Sequence, residues 1–349
     1  MQNFKLAEIV INWYKKNFRN LPWRPYDFKQ KVNPYFVFLS EFMLQQTMVK
    51  TVIPYFLKFI DKYPKINILA NAKLDEVLTM WSGLGYYRRA TNLYLSSNII
   101  HNELSNVIPN DYASLIKLPG IGDYTAAAIA AIAFDKETVV VDGNIERVIS
   151  RLYKIESKGN FLKKEVKQIL LANIPNKQNS LFVQGLMDIG ATICMPKIVN
   201  CKICPLEKRC EVSFSNHAID YPKKAVKKRK VIRFGDFYCL LNSKKEILFL
   251  KNEKNKLFNN MYILPSKGWQ KKDDIIDFNL FYRKQKINCG IVKHSFSHFD
   301  LEANIIIYKF GNKNFELKSK QKFIKFNALN SSGIPTLYHK IISKILKYI

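Results

Sequence analysis

Residues 118–125 read LPGIGDYT, and this stretch decides the fold. Pro119 ends whatever helix precedes it, because its ring blocks continuation and it has no N–H to offer. Gly120 and Gly122 allow a tight turn with positive φ and leave the backbone N–H groups of the turn unshielded. Apolar residues at helical spacing run up to the turn over residues 111–118, and an Ala-rich helical segment, residues 123–134, follows it. The second helix adds its positive N-terminal dipole at the same place, so turn and helix make a phosphate site that ignores base identity. The hairpin, about residues 111–134, therefore nominates Leu118, Gly120, Ile121, Gly122, Tyr124 and Thr125 as its phosphate-gripping element.

Working outward, residues 141–144 read VDGN, which puts Asp142 at the start of a helix spanning 144–153. There it is an N-cap, and the helix dipole and free N–H groups are expected to keep it ionised. Further on, Cys194, Cys201, Cys204 and Cys210 form a C-x6-C-x2-C-x5-C run. Four thiols this close in sequence converge on one metal centre. Disulfides are disfavoured, because the first twenty residues contain no uninterrupted apolar stretch or small-residue cleavage site of a secretory signal. Structural zinc stays open, although zinc ribbons usually separate two C-x2-C knuckles, whereas this run is one compact loop. Cys239 and Cys289 stand alone.

Upstream, Glu41 lies in FVFLSEFMLQQT, among apolar and small uncharged neighbours. A carboxyl placed there has its pKa raised by burial and is suited to donate a proton near neutral pH. Residues 6–18, 35–62, 74–81, 88–102, 111–118 and 123–134 carry helical periodicity, which puts Gln45 and Gln46 one turn below Glu41 on one helix. Residues 222–230, PKKAVKKRK, have no apolar period and read as a linker. Beyond it, residues 232–242, 246–251, 286–293 and 301–310 are β-branched and aromatic and read as strands; 334–349 returns to helix. Of 349 residues, 56 are Lys or Arg against 28 Asp or Glu, a formal net charge of +28. Such a surplus points to a polyanionic partner, and nucleic acid fits better than a membrane, since no apolar run is long enough to span one.

The LPGIG hairpin, the VDGN segment and the four-cysteine loop, in that order, resemble the endonuclease III/MutY superfamily of DNA glycosylases. The resemblance is strong over residues 18–212 and weak over 232–349. It implies a multidomain chain: an all-α helix-hairpin-helix glycosylase domain, residues 1–218, of two helical subdomains plus an iron–sulfur loop at 194–210. A basic linker, 219–231, and an α+β Nudix-like domain, 232–349, would follow. It also implies a [4Fe-4S] cluster on the four cysteines. SEFMLQQT is similar to the signature of the MutY branch, in which the glutamate protonates an adenine leaving group, a role this carries to Glu41. Asp142 takes the role of the catalytic carboxylate that stabilises the positively charged sugar. Bifunctional members carry Lys at the position of Tyr124; a phenol cannot form an imine. Tyr124 thus argues for a monofunctional enzyme and is expected to bridge the two carboxyls.

The same resemblance nominates Trp23 and Arg24 of LPWR, Asn144 and Gln184 for the base pocket, with Leu84 from the GLGYYRRA loop. Gln45 and Tyr86 would be wedges that fill the stack when a base leaves it. Phe296, Ser297 and His298 match a loop that reads 8-oxoguanine, and residues 261–266, MYILPS, weakly match a family stretch whose Trp and Glu are missing here. No acidic Nudix box is present in the sequence, so the second domain is expected to bind rather than hydrolyse. The expected substrate is duplex DNA with adenine opposite 8-oxoguanine or guanine. A bacterial, cytoplasmic, nucleoid-associated monomer is implied, with no membrane. The rival reading is a bifunctional oxidised-pyrimidine glycosylase/lyase of the same fold.

Overall fold

A computed structural model describes residues 5–25, 27, 30–223, 229–253, 257–258, 261–270, 285–309, 317, 319–331 and 334–349. Eleven helices precede the first strand among these: α1 (Leu6–Asn17), α2 (Pro34–Leu44), α3 (Val49–Lys62), α4 (Ile66–Ala70), α5 (Leu74–Met80), α6 (Arg88–Asn102), α7 (Tyr112–Leu115), α8 (Asp123–Phe134), α9 (Gly143–Leu152), α10 (Gly159–Leu171) and α11 (Asn179–Thr192). The strands are β1 (Val231–Leu241), β2 (Glu246–Lys251), β3 (Tyr262–Ile263), β4 (Ser266–Lys267), β5 (Gln285–Ser295), β6 (Phe299–Lys309) and β7 (Gln321–Lys325), and α12 (Thr336–Ile345) follows them. Residues 224–228 of the basic stretch and Phe310, the end of the last expected strand, lie outside the described residues.

By packing, the chain divides into Met1–Asn71 with Leu95–Lys227, and Ala72–Tyr94 with Lys228–Ile349. The first unit is helical. Its centre is α8, whose residues from Thr125 to Ile132 are all buried. Small alanines let α2 and α11 come close to it, and those two helices bury polar side chains, Glu41, Gln184 and Asp188 among them, within otherwise apolar faces. On its other side α11 packs closely on α1: a Cβ at Gly185 would stand 2.6 Å from Val10 Cγ1.

The second unit is built on a mixed sheet of order β3-β2-β1-β6-β5, with β4 on β1 and β7 on β2. β1 runs parallel to β6 from Val231↔Phe299 to Leu241↔Lys309, and β5 and β6 form an antiparallel hairpin. The apolar stripe of α12 (Leu337, Tyr338, Ile341, Ile345) covers one face, against Phe237, Phe249 and Ile305. Burying that stripe is what lets so short a helix persist.

Three local expectations change. The segment at 35–62 is two helices, because Gln46 adopts φ 57 and the Thr47 N–H closes a turn onto the Leu44 carbonyl. The helix before the hairpin shrinks to four residues, started by Asp111, whose side chain accepts from Ser114 N–H at 2.9 Å. In the hairpin only Gly120 has positive φ (79°); Gly122 is extended at φ −101°, the N-cap of α8.

Candidate active site

Three ionisable side chains meet from three helices of the first unit. Glu41 projects from α2 and is buried at 5% exposure, with Oε2 lacking a hydrogen-bond partner. Its pKa is raised to about 7: burial dominates, the Tyr124 hydroxyl bond lowers it, the nearby Asp142 charge raises it and Arg24 lowers it. Tyr124, the second residue of α8, donates its hydroxyl to Glu41 and also feels Asp142, so burial and both carboxyls hold its own pKa well above the usual value.

Asp142 caps α9. Its Oδ1 accepts from Asn144 N–H at 3.0 Å and Ile145 N–H at 2.7 Å, and its Oδ2 from Asn144 Nδ2 at 2.9 Å. These bonds favour the ionised form, yet the net shift is upward, because burial outweighs them. The expected cap bonds are all present, but burial works against the ionised form that they favour. Both carboxyls are raised; Glu41, with fewer donors, is the one brought to about 7. Two neighbouring carboxyls in unlike environments are an acid–base pair ready for division of labour.

The cap is tied to the cysteine loop. Asn144 Oδ1 accepts from Arg147 Nη2 at 2.9 Å; Arg147 also donates to the carbonyls of Gly190 at 2.7 Å and Cys194 at 2.8 Å. Arg151, buried at 1% exposure, donates to Cys194 Sγ at 3.2 Å and to the Met195 carbonyl at 2.8 Å. Gly190 is needed here, since a Cβ would lie 2.7 Å from Asn144 Cβ.

All four cysteines of the loop line one pocket together with Arg151 and Val199. Among the described residues no three His, Cys, Asp or Glu side chains form a group that could hold a metal ion. Four cysteine sulfurs lining one pocket are the donor set that a thiolate-held metal centre uses. Burial pushes the Cys204 thiol up to about 12; a metal in the pocket would reverse that, because bound cations deprotonate thiols.

The nominated pocket residues fare unequally. Trp23 is core, at 7% exposure, its ring edge-on to Phe56 at 5.3 Å. Arg24 is not free to meet a base: its guanidinium is bidentate on Asp188, at 2.8 and 3.0 Å, and lies over the Tyr14 ring. Arg19 binds the same carboxylate at 2.6 Å, and the two cations hold Asp188 below the usual carboxylate range although burial opposes them. Gln184 is buried and spends its amide on Ser180. Gln45 is not on the Glu41 helix proper; it caps α2 and reaches the hairpin, donating to the Gly120 carbonyl at 3.3 Å and Thr125 Oγ1 at 3.2 Å. Leu118 and Ile121 are buried anchors of the hairpin, which leaves its backbone as the exposed part.

In the second unit, Leu84 is buried and Tyr86 is half exposed with φ 48. Phe296, Ser297 and His298 form the tight turn between β5 and β6, closed by Phe296 N–H to the Phe299 carbonyl at 2.9 Å. Ser297 and His298 face solvent while Phe296 stacks on Phe299 and Trp269. Sequence reasoning missed Asp188, Arg147 and Arg151. Asp188 carried a signal, a carboxylate within the apolar run LFVQGLMDIGATIC, the same signal that marked Glu41.

Residues 39–176 match the HhH-GPD superfamily of base excision DNA repair proteins. Over its whole length the chain is 36% identical to the adenine DNA glycosylase of Buchnera aphidicola subsp. Baizongia pistaciae, covering 99% of that protein. The chain belongs to the adenine DNA glycosylase family. The human family member is 37% identical over 209 residues, 58% of this chain and 38% of that one. A solved thermostable thymine-DNA glycosylase superposes with TM-score 0.51 at 26% identity, over 59% of this chain and 93% of its own. The family fold is thus an HhH-GPD helical part followed by a sheet-containing α/β part, as built above.

Proposed function

We propose that this protein removes adenine paired with 8-oxoguanine or guanine from duplex DNA, by hydrolysis and without strand cleavage. The observation that carries the reading is Glu41: buried, raised to about 7, one oxygen unpartnered, and bonded by Tyr124 beside the capped Asp142. An extruded adenine accepts the Glu41 proton on N7, and the C1′–N9 bond breaks with its electron pair leaving on the base. Positive charge grows on the sugar, and Asp142 stabilises it from the other side, directly or through transient bonding to C1′. Water then adds at C1′, its proton passing to a carboxylate, and an abasic site remains. Tyr124 orients the pair and has no amine with which to trap the sugar, which disfavours the bifunctional alternative.

Cys194, Cys201, Cys204 and Cys210 are assigned a [4Fe-4S] cluster. It would supply cross-linking rather than reaction chemistry, shaping a loop whose Lys202, Lys208 and Arg209 meet phosphate. The hairpin backbone around Gly120–Gly122 grips a second phosphate. The C-terminal unit is read as a Nudix-like binding module whose Ser297 and His298 meet the base opposite adenine. Among the described residues no helix is long and apolar enough to cross a membrane. We place the enzyme on the bacterial nucleoid, acting as a monomer.

The test is single-turnover cleavage of A:8-oxoguanine, A:G, A:C and A:T duplexes by wild type and a Phe296/Ser297/His298 triple-alanine variant. Adenine release confined to the first two, with the preference for the first weakened in the variant, is expected. Release from none of them overturns the reading and points to oxidised pyrimidines.

A further inference from the structure

Tyr87 has no role in the reading above, yet its surroundings are unusual. It is buried at 6% exposure next to the half-exposed Tyr86. Its hydroxyl donates to the Ile334 carbonyl at 3.0 Å and accepts from the Gly83 N–H at 3.4 Å. Residues 83 and 87, the two ends of the glycine-flanked loop, are thereby pinned to the chain just before α12. All of these residues belong to the same packing unit. A second tie sits one helix earlier, where Lys251 Nζ of β2 meets Asp75 Oδ1 of α5 at 2.7 Å.

The loop so pinned has one strained exposed residue. Tyr86 holds φ 48, and Arg89 supports it by donating to the Gly85 carbonyl at 3.1 Å while lying 5.5 Å from the Tyr86 ring. A non-glycine residue persists in that region only when its surroundings over-determine it, and such strain gathers at functional positions. The Tyr86 hydroxyl then lies 3.4 Å from Ser297 Oγ at the β5–β6 turn. That turn is also supported from α12: Phe296 packs near Phe258 and Phe258 on Tyr338, at 6.0 and 5.7 Å. Loop and turn, 211 residues apart in sequence, are thus set against each other by one element, α12 and the residues leading into it.

We propose that Tyr87 is a positioning residue for discrimination of the base opposite the excised adenine, holding Tyr86 and Ser297 together as one preset reading surface. An aromatic ring stacks on any base, whereas a serine hydroxyl distinguishes hydrogen-bonding edges. Only when the ring's place is fixed does the hydroxyl address a defined edge. The inference rests on the adenine-excision reading and adds to it the means by which two distant segments read one base.

The experiment compares wild type, Tyr87→Phe, Ser297→Ala and the double variant on A:8-oxoguanine and A:G duplexes, under single turnover with subsaturating enzyme. Circular dichroism checks that each is folded. Phenylalanine keeps the ring and loses only the hydroxyl bonds, so the ratio of the two rates should fall about fivefold, the worth of one hydrogen bond. Ser297→Ala should add little to it, since the two substitutions act on one contact. An equal fall on both duplexes, an unmoved ratio, or full additivity overturns the proposal. Failure of the wild type to release adenine from either duplex sinks the activity reading itself, which keeps the two failures apart.

Discussion

Glu41→Gln should stabilise the protein at neutral and alkaline pH while abolishing turnover. The carboxyl has a folded pKa of about 7 against an unfolded value of 4.5. A raised pKa means that the folded state holds the proton longer than the unfolded chain. Below pH 4.5 both states are protonated, and Glu41 costs nothing through ionisation. Between 4.5 and 7 the unfolded chain releases its proton first, so stability falls as pH rises, and it levels off above 7. The full difference of about 2.5 units corresponds to about 3 kcal/mol by linkage, an order-of-magnitude figure. Glutamine is isosteric and uncharged, but its amide would meet the place where Oε2 finds no partner, so part of the gain is offset by an unmet donor. A net gain of about 1–3 kcal/mol is expected at pH 8, and about 3 kcal/mol less than that at pH 4.5, where only the offset of the unmet donor remains. Urea unfolding of both proteins at these pH values measures it, with single-turnover adenine release alongside. A variant that is no more stable than wild type at pH 8, or equally stabilised at both pH values, would refute the claim that burial of an ionisable group dominates this site.

The Tyr124→Phe variant removes the hydrogen bond that lowers the Glu41 pKa, so the alkaline limb of the pH–rate profile should move to higher pH as the maximal rate falls; a limb moving downward would contradict the assigned bond. In Arg147→Met, the donors to Asn144 and to the Gly190 and Cys194 carbonyls are lost together; stability should drop by about 2–4 kcal/mol, with iron content and adenine release falling in parallel, measured by iron assay and single turnover. Gly190→Ala forces its Cβ against Asn144 and should cost about 1–3 kcal/mol in unfolding experiments, with a larger loss in rate than a surface alanine control. Binding to duplex DNA should weaken steeply with added salt, and a flat response in titrations from 50 to 200 mM would contradict the phosphate-contact reading.

The parts of the molecule legible in sequence share one property: their cause is local. The Asp142 cap follows from VDGN because an N-cap is decided within three residues, and its hydrogen bonds to Asn144 and Ile145 fall there. The cysteine pocket follows from spacing, and burial of Glu41 follows from its apolar neighbours. What escaped depends on chain segments meeting from far away. Arg24 was nominated for a base, but Asp188, 164 residues later, takes both arms of its guanidinium. Residues 72–94 read as one more helical stretch of the N-terminal region, whereas their packing is with the C-terminal residues, through side chains such as Tyr87 and Asp75 that show no periodicity signal.

Asp142 shows why a local reading, even when its geometry is right, falls short of chemistry. Its cap donors and the α9 dipole argue for a low pKa, and all of its expected bonds are present. The burial that reverses the sign comes from the fold around it, which no nearby residue announces. Glu41 is buried more deeply, has fewer donors and is raised further by the Asp142 charge, so it is carried to about 7. Division of labour between the two carboxyls is therefore set by unequal burial together with unequal hydrogen bonding. A substitution that removes a donor from Asp142, such as Asn144→Ala, should narrow the difference between them. The acid limb of the pH–rate profile, which reports ionisation of the stabilising carboxylate, should then shift to higher pH, while the alkaline limb set by Glu41 stays near its wild-type position. An acid limb left unmoved would mean that the cap bonds do not hold Asp142 in its charged form, and that the division of labour has another origin.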